Sequence, residues 1–226
     1  MGMKRVIVDG KTLNYRTAQM LKRAEERLGE SLYVVQGSYS SGVSQSAGTH
    51  DGGGAIDVSP TNDPNRVVRE LREVGFAAWH RTADQGDWNA HIHAIAIGDS
   101  ESSSGARQQV QAYYSGRNGL ASNAQDDGPR LDPIPVWPVE LPRVSLGRVV
   151  NQFEAKTPRK TQGVERVQKL LNRRLNLNIS VDGVAGDETR NAYKKWQKEN
   201  NSSVVDGLPR EPGVKLLLAG FYRLVK

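Results

Sequence analysis

Apolar and polar positions along the chain fall into short runs that predict alternating strands and helices. Val6 to Val8 reads as an opening strand closed by the turn pair Asp9-Gly10. From Thr17 onward Ala18, Leu21, Ala24 and Leu28 recur at helical spacing, and Gly29 ends that helix. Leu32 to Val35 predicts a strand that leads into a Ser- and Gly-rich stretch between Tyr39 and Thr49, suited to lining a cleft. Ala55 to Val58 is a further short strand. Asp63-Pro64 reads as a helix N-cap followed by Pro in the first turn; Val67, Val68, Leu71 and Val74 form the buried stripe, and Gly75 marks the end. Phe76 to His80 and His91 to Ile97 complete the strands. Strands with interleaved helices predict an α+β domain, a small sheet backed by helices, over residues 1–100.

Beyond Asp99 the texture changes. Ser102 to Ser104, Gly116 to Gly119 and Asn123 to Gly128 form loops, and Pro129, Pro133, Pro135, Pro138 and Pro142 crowd one span that cannot be a single helix. Residues 101–160 are therefore expected to be a linker, with one helix near Ala106 to Tyr114 packing on the preceding domain. Helical spacing returns at Val164, Val167, Leu170 and Leu171, breaks at Val181-Asp182-Gly183-Val184-Ala185-Gly186, and resumes with Thr189, Tyr193 and Trp196. Helical spacing on both sides of that turn predicts a small all-α domain over residues 161–226.

Composition narrows the possibilities. The chain is 37% hydrophobic and 25% charged, which suits a globular protein. It has no cysteine, so disulfides and thiolate metal ligands are excluded together. The net charge of +6 is uneven: residues 144–226 hold 16 Lys and Arg against 8 Asp and Glu, giving +8, and the rest of the chain is slightly acidic. The basic half is expected to meet an anionic partner, for which nucleic acid and the anionic polymers of a Gram-positive wall both qualify. A nucleic-acid binder is not expected, because no aromatics are interleaved on a basic surface. The N-terminus has no apolar run of signal-peptide length, and no segment reaches the length of a membrane span.

The chemistry concentrates in Gly48-Thr49-His50-Asp51-Gly52-Gly53-Gly54-Ala55-Ile56-Asp57-Val58-Ser59 and, later, His91-Ile92-His93. Strand alternation puts His91 and His93 on one face, opposite Ile92 and Ala94. The three glycines are expected to take backbone conformations that let His50 turn back over the strand carrying Asp57. Histidine and carboxylate together supply the N and O ligands of a zinc ion, and a catalytic zinc needs three protein ligands with one position left open. Four candidates are present, which spares one for chemistry. His80, beside Trp79, reads as structural.

His50, six intervening residues, Asp57 and a later His-x-His resemble the D,D-carboxypeptidase and L-alanyl-D-glutamate peptidase family of zinc enzymes that cut bacterial cell-wall peptides. The family pattern Ser-x-His-x-x-Gly-x-Ala-x-Asp is matched at His50, Gly53, Ala55 and Asp57, with Gly48 in place of its Ser. The resemblance implies His50, Asp57 and His93 as metal ligands and His91 as a catalytic neighbour. Many members carry a carboxylate base where this chain has Ala90, so Asp87 is the expected substitute. Many also carry an upstream Arg that this chain lacks, leaving Gln36, Tyr39 or Arg81 to contact substrate. Residues 160–220 resemble the three-helix peptidoglycan-binding domain at Val167-Gln168, Leu171, Asp182-Gly183, Gly186, Thr189 and Trp196-Gln197. There, Arg173 and Arg174 are the candidates for wall contact, the other reading of the basic residues being a solvated face. Together these imply a monomeric, zinc-dependent, phage-lysin-like peptidase of peptidoglycan stem peptides, made in a host cytoplasm and reaching the wall on release, or else acting extracellularly. The alternative is a non-catalytic wall-binding or virion structural protein that retains the zinc site.

Overall fold

Strand alternation in the first half of the chain becomes a four-stranded sheet with an apolar layer on each face. The structure, a computed structural model, describes residues 2–225. They divide into one unit running to Val139 and another from Glu140. The first opens with a hairpin of β1 (Arg5–Val8) and β2 (Lys11–Asn14), with Val6 opposite Leu13. Helix α1 (Tyr15–Leu28) starts two residues before Thr17, because the Asn14 side chain caps it by accepting from Thr17 N at 2.8 Å; Gly29 ends it in the left-handed region at φ 77°. Strands β3 (Val34–Gln36) and β4 (Ala55–Val58) follow, then α2 (Pro64–Glu73), β5 (Phe76–Arg81), β6 (His91–Ala96) and α3 (Ser104–Tyr114). Asp63 caps α2 from the position its Asp-Pro pair implies.

The sheet order is β3-β4-β6-β5, antiparallel throughout. Ile56, Val58, Ala78, Ile92 and Ala94 on one face pack with Met20, Leu21 and Ala24 of α1 and Val67, Val68 and Leu71 of α2. Ala55, Ala77, Trp79 and Ile95 on the other face pack with Ala106, Val110 and Tyr113 of α3. Each fully buried aliphatic side chain contributes about 1.5–3 kcal/mol. A one-residue slip of β4 or β6 would exchange the two faces, so burial on both sides holds the register. Between α1 and α2, buried Arg27 meets Glu70 at 2.8 Å and Glu73 at 2.7 Å.

Residues 101–160 divide between the units. Buried Arg72 donates to the Ala78 carbonyl through Nε at 2.9 Å and Nη2 at 2.6 Å, to Pro129 O at 3.1 Å and to Asp126 at 2.9 Å, which fastens residues 126–129 beside β5. Trp137 and Ile134 pack on the first unit's cores.

The second unit contains the three expected helices, α5 (Gln162–Leu175), α6 (Asp187–Glu199) and α7 (Glu211–Leu218), but it is not all-α. A fourth helix, α4 (Leu146–Glu154), precedes them, and β7 (Arg143–Ser145) pairs in parallel with β8 (Arg223–Val225). Strands of three residues leave no periodicity to read, and their pairing joins opposite ends of the unit. Val149 and Phe153 enter the same core as Val164, Val167, Leu171, Tyr193, Trp196 and Leu217. Two Asp-Gly turns are locked alike. Gln168 accepts from Gly183 N at 2.7 Å and donates to Asp182 at 2.8 Å and Thr189 at 2.9 Å. Gln197 accepts from Gly207 N at 2.7 Å and donates to Asp206 at 3.2 Å and Leu208 O at 3.0 Å.

Candidate metal centre

Three strands place the site residues in two rows on the face of the sheet that carries Trp79. Asp57 of β4 lies opposite His93 of β6, and His93 lies opposite Trp79 of β5. One row on, His91 lies opposite Arg81. His80 pairs with Ile92 and so belongs to the other face. His50 reaches the first row from the glycine-rich turn, which is held by Ser40 N donating to His50 O at 2.8 Å and Tyr39 N donating to Gly52 O at 2.9 Å.

The glycines of that turn act in two ways. Of the three, only Gly54 has positive φ, at 88°. Gly52 and Gly53 are required by close approach instead: a Cβ on Gly52 would stand 2.3 Å from the Glu101 carbonyl, and one on Gly53 would stand 2.7 Å from Asn14 Nδ2.

His50 Nε2 lies 3.4 Å from His93 Nδ1 and 3.3 Å from Asp57 Oδ1, and His93 Nδ1 lies 2.7 Å from that same oxygen. Donors at about 2.0–2.1 Å from one tetrahedral zinc stand roughly 3.3 Å apart. Two of the three separations have that length, and the third is a hydrogen bond. All three side chains are buried and form a possible metal-binding triad.

Protonation also suits a cation. His50 Nδ1 faces the Gly37 carbonyl at 2.9 Å, which makes it the protonated nitrogen and leaves the Nε2 lone pair aimed at the triad. Burial pushes the His93 imidazole down to about 4 against the opposing pull of Asp57, so it is neutral near pH 7. Burial alone would raise the Asp57 carboxyl, but the charges and hydrogen bonds of His93 and His50 override it and hold the group far below the usual carboxylate range. A carboxylate beside a neutral imidazole suits a metal cation. His93 Nε2 is buried without a partner, and its ring stacks on Trp79 at 6.2 Å.

The triad forms the floor of a cleft of about 530 Å³, whose lining includes Gln36, Arg81, Asp87, Trp88, His91 and Gln109. Gln36 donates to Ser46 Oγ at 2.9 Å. Asp87 is exposed on the rim. His91 Nδ1 faces the Asn89 carbonyl at 2.7 Å, and its Nε2 lies 3.8 Å from Asp57. Arg81 is buried over the Trp79 ring at 4.9 Å; burial lowers its guanidinium to about 10 although Asp57 opposes this.

Tyr39 is not brought to the cleft. Its φ of 58° sends the side chain to Glu101, to which the hydroxyl donates, and Arg5 covers the ring at 3.9 Å. It braces the glycine turn. Trp88 and Gln109 line the cleft and buried Trp79 stacks on His93; the motif singles out none of the three. Trp88 donates to Thr82 O at 3.0 Å and meets the His91 ring edge-on at 6.2 Å, its indole folded over Gly86. The Gly86-Asp87-Trp88 order is the only local sign of that fold-over.

In the second unit, Arg173 and Arg174 lie over Phe221 at 4.7 and 5.4 Å, and Arg174 also donates to Ala219 O. These arginines brace α5 against the chain after α7. Among the described residues no helix is long and apolar enough to cross a membrane. No curated protein and no solved structure matches the chain. Residues 160–209 match the family model of a peptidoglycan binding domain, covering α5, α6 and the second Asp-Gly turn. The match within the second unit supports peptidoglycan as a partner and fits association with the cell wall.

Proposed function

We propose that the first unit is a zinc-dependent peptidase acting on peptidoglycan stem peptides, and that the second holds it at the wall. The observation that carries this reading is the convergence of His50 Nε2, Asp57 Oδ1 and His93 Nδ1 at the floor of an open cleft. These three atoms would hold the ion. When bound, zinc polarises a carbonyl and lowers the pKa of water to near neutrality.

His91 and Asp87 are the groups placed to move protons. With Nδ1 donating to Asn89 O, the neutral tautomer of His91 would turn its Nε2 lone pair to the triad, in position to take a proton from water and return it to the leaving amine. Asp87 reaches the same cleft from the rim, in the absence of a carboxylate at Ala90. Trp88 fixes the orientation of the His91 ring. Binding to the wall through the second unit raises the local concentration of substrate without any new contact in the cleft.

The test pairs metal content with product identity. Purified protein is expected to carry one zinc per chain, and His50→Ala or Asp57→Ala to carry none, by elemental analysis after dialysis. Mass spectrometry of soluble material released from purified walls should show new peptide termini with the wild type and none with His50→Ala or a chelator. Intact walls with protein bound would sink the peptidase reading and favour a wall binder that keeps a metal site.

A further inference from the structure

Positive charge in the second unit gathers away from the arginines that lie over Phe221. A cavity of about 480 Å³ is lined by β7, the first turns of α4 and α5, and the end of β8. Arg143, Arg148 and Arg166 line it from three separate elements, and no carboxylate does; Glu165, in the same turn of α5, is not part of the lining. Arg143, Arg148 and both strands lie outside residues 160–209, the span of the peptidoglycan binding match. Among the described residues none of the three arginines forms an ion pair. Arg166 Nη1 donates to Arg143 O at 2.6 Å, and its guanidinium lies over Tyr222 at 5.2 Å. That bond fastens α5 to β7 and leaves the other N–H groups of Arg166, and those of Arg143 and Arg148, without an acceptor among the described residues.

The backbone adds donors at the same place. Ser145 caps α4 and Thr161 caps α5, and both caps line the cavity. Thr161 accepts from Val164 N at 3.3 Å and from Glu165 N at 3.1 Å, whereas the amides of Gln162 and Gly163 have no acceptor among the described residues. The first amides of a helix carry its partial positive charge and suit an anion. Such a helix start is ordinary by itself; here it coincides with three guanidiniums. Local geometry explains the coincidence. Gln162 and Gly163 stand four and three residues before Arg166, on one face of α5. Arg143 and Ser145 share one face of β7, while Val144 between them is buried in the core.

We infer that this cavity binds a phosphodiester of an anionic wall polymer, a chain of polyol phosphates. Guanidinium groups fit the paired oxygens of a carboxylate or a phosphate. Three of them beside two helix starts supply donors from several directions, which the tetrahedral oxygens of a phosphate meet and the flat pair of a carboxylate does not. The cavity is larger than a lone phosphate fills, so it has room for the polyol on either side of the diester. Nucleic acid also carries phosphodiesters, but no aromatic side chain lines the cavity for a base to stack on. Ser145, Thr161, Val144 and Val225 supply hydroxyl and small aliphatic surface instead, which suits a polyol. The peptidoglycan binding match in the same unit fits association with the cell wall, where such a polymer is met. The inference is independent of the zinc chemistry proposed for the first unit.

The test is calorimetric titration of the full-length protein at one fixed ionic strength, because binding of a polyanion weakens steeply with salt. The probes are a purified glycerol-phosphate oligomer, inorganic phosphate, polyglutamate as a carboxylate polymer, and single-stranded DNA. The oligomer is expected to bind the wild type more tightly than each of the other three, compared per anionic group. Arg143→Gln combined with Arg148→Gln should weaken oligomer binding at least about tenfold, as loss of charge-assisted hydrogen bonds requires. Lys194→Gln combined with Lys198→Gln removes the same charge from α6 and should weaken it by less than about threefold, with circular dichroism checking that both variants are folded. Equal losses in the two double variants would show diffuse attraction and overturn the site, as would a folded arginine variant that binds like the wild type. Failure of the wild type to bind the oligomer overturns the inference outright. Inorganic phosphate, polyglutamate or DNA binding at least as tightly as the oligomer overturns the wall polymer as the occupant.

Discussion

Gly54 turns at φ 88°, and a Cβ there would stand 3.0 Å from the Asp99 Cβ. Gly54→Ala combines a left-handed backbone with a close contact and should destabilise the first unit by about 1–3 kcal/mol in urea unfolding. Because this turn carries His50 toward Asp57, the same variant should bind zinc more weakly in a competition titration; unchanged affinity would show that the turn does not set the ligand. Gly86 is a second such position. A Cβ at Gly86 would come within 2.3 Å of the Trp88 ring, so Gly86→Ala should expel the indole. Its fluorescence is then expected to shift toward the red, and an unshifted spectrum would mean that Trp88 does not depend on Gly86. The direction of His93 and His91 was legible in the sequence, because two residues apart on a strand means one face. The path of Tyr39 was not, because a left-handed loop residue can send its side chain to either side of a turn.

The elements of the first unit follow from patterns that each lie within a few residues: the stripe of α2, the Asp63-Pro64 start and the alternation in β6. The second unit shows how a local pattern becomes a lock. Gln168 satisfies the Gly183 amide and donates to Asp182 and Thr189, joining α5 to the turn and to α6. Gln168→Ala leaves a buried amide unmet and should cost about 2–3 kcal/mol by chemical denaturation. A loss under 1 kcal/mol would show that water replaces the side chain. The pairing of β7 with β8 had no such local trace, since only the closed fold brings residues 143–145 beside 223–225.

For the whole molecule, each unit has its own apolar core, and this separates their responses to metal. Zinc at about a hundred times its Kd should stabilise the first unit by about 2.7 kcal/mol. In calorimetry one transition is expected to rise with zinc and the other to stay fixed, with no response in His50→Ala. A shift of both transitions would mean that the units unfold together.

The sequence by itself determined the strands and helices that carry the site, the shared direction of His91 and His93, the candidate donors and the likeness of the second unit's helices to a peptidoglycan binding domain. These are read at short range, from periodicity and from motif spacing. Tertiary structure alone decided that His50 Nε2, Asp57 Oδ1 and His93 Nδ1 meet, that Trp79 and Arg81 join them from a neighbouring strand, and that Tyr39 leaves for Glu101. Each of these depends on strand order, register or a loop dihedral, quantities settled by packing between distant segments.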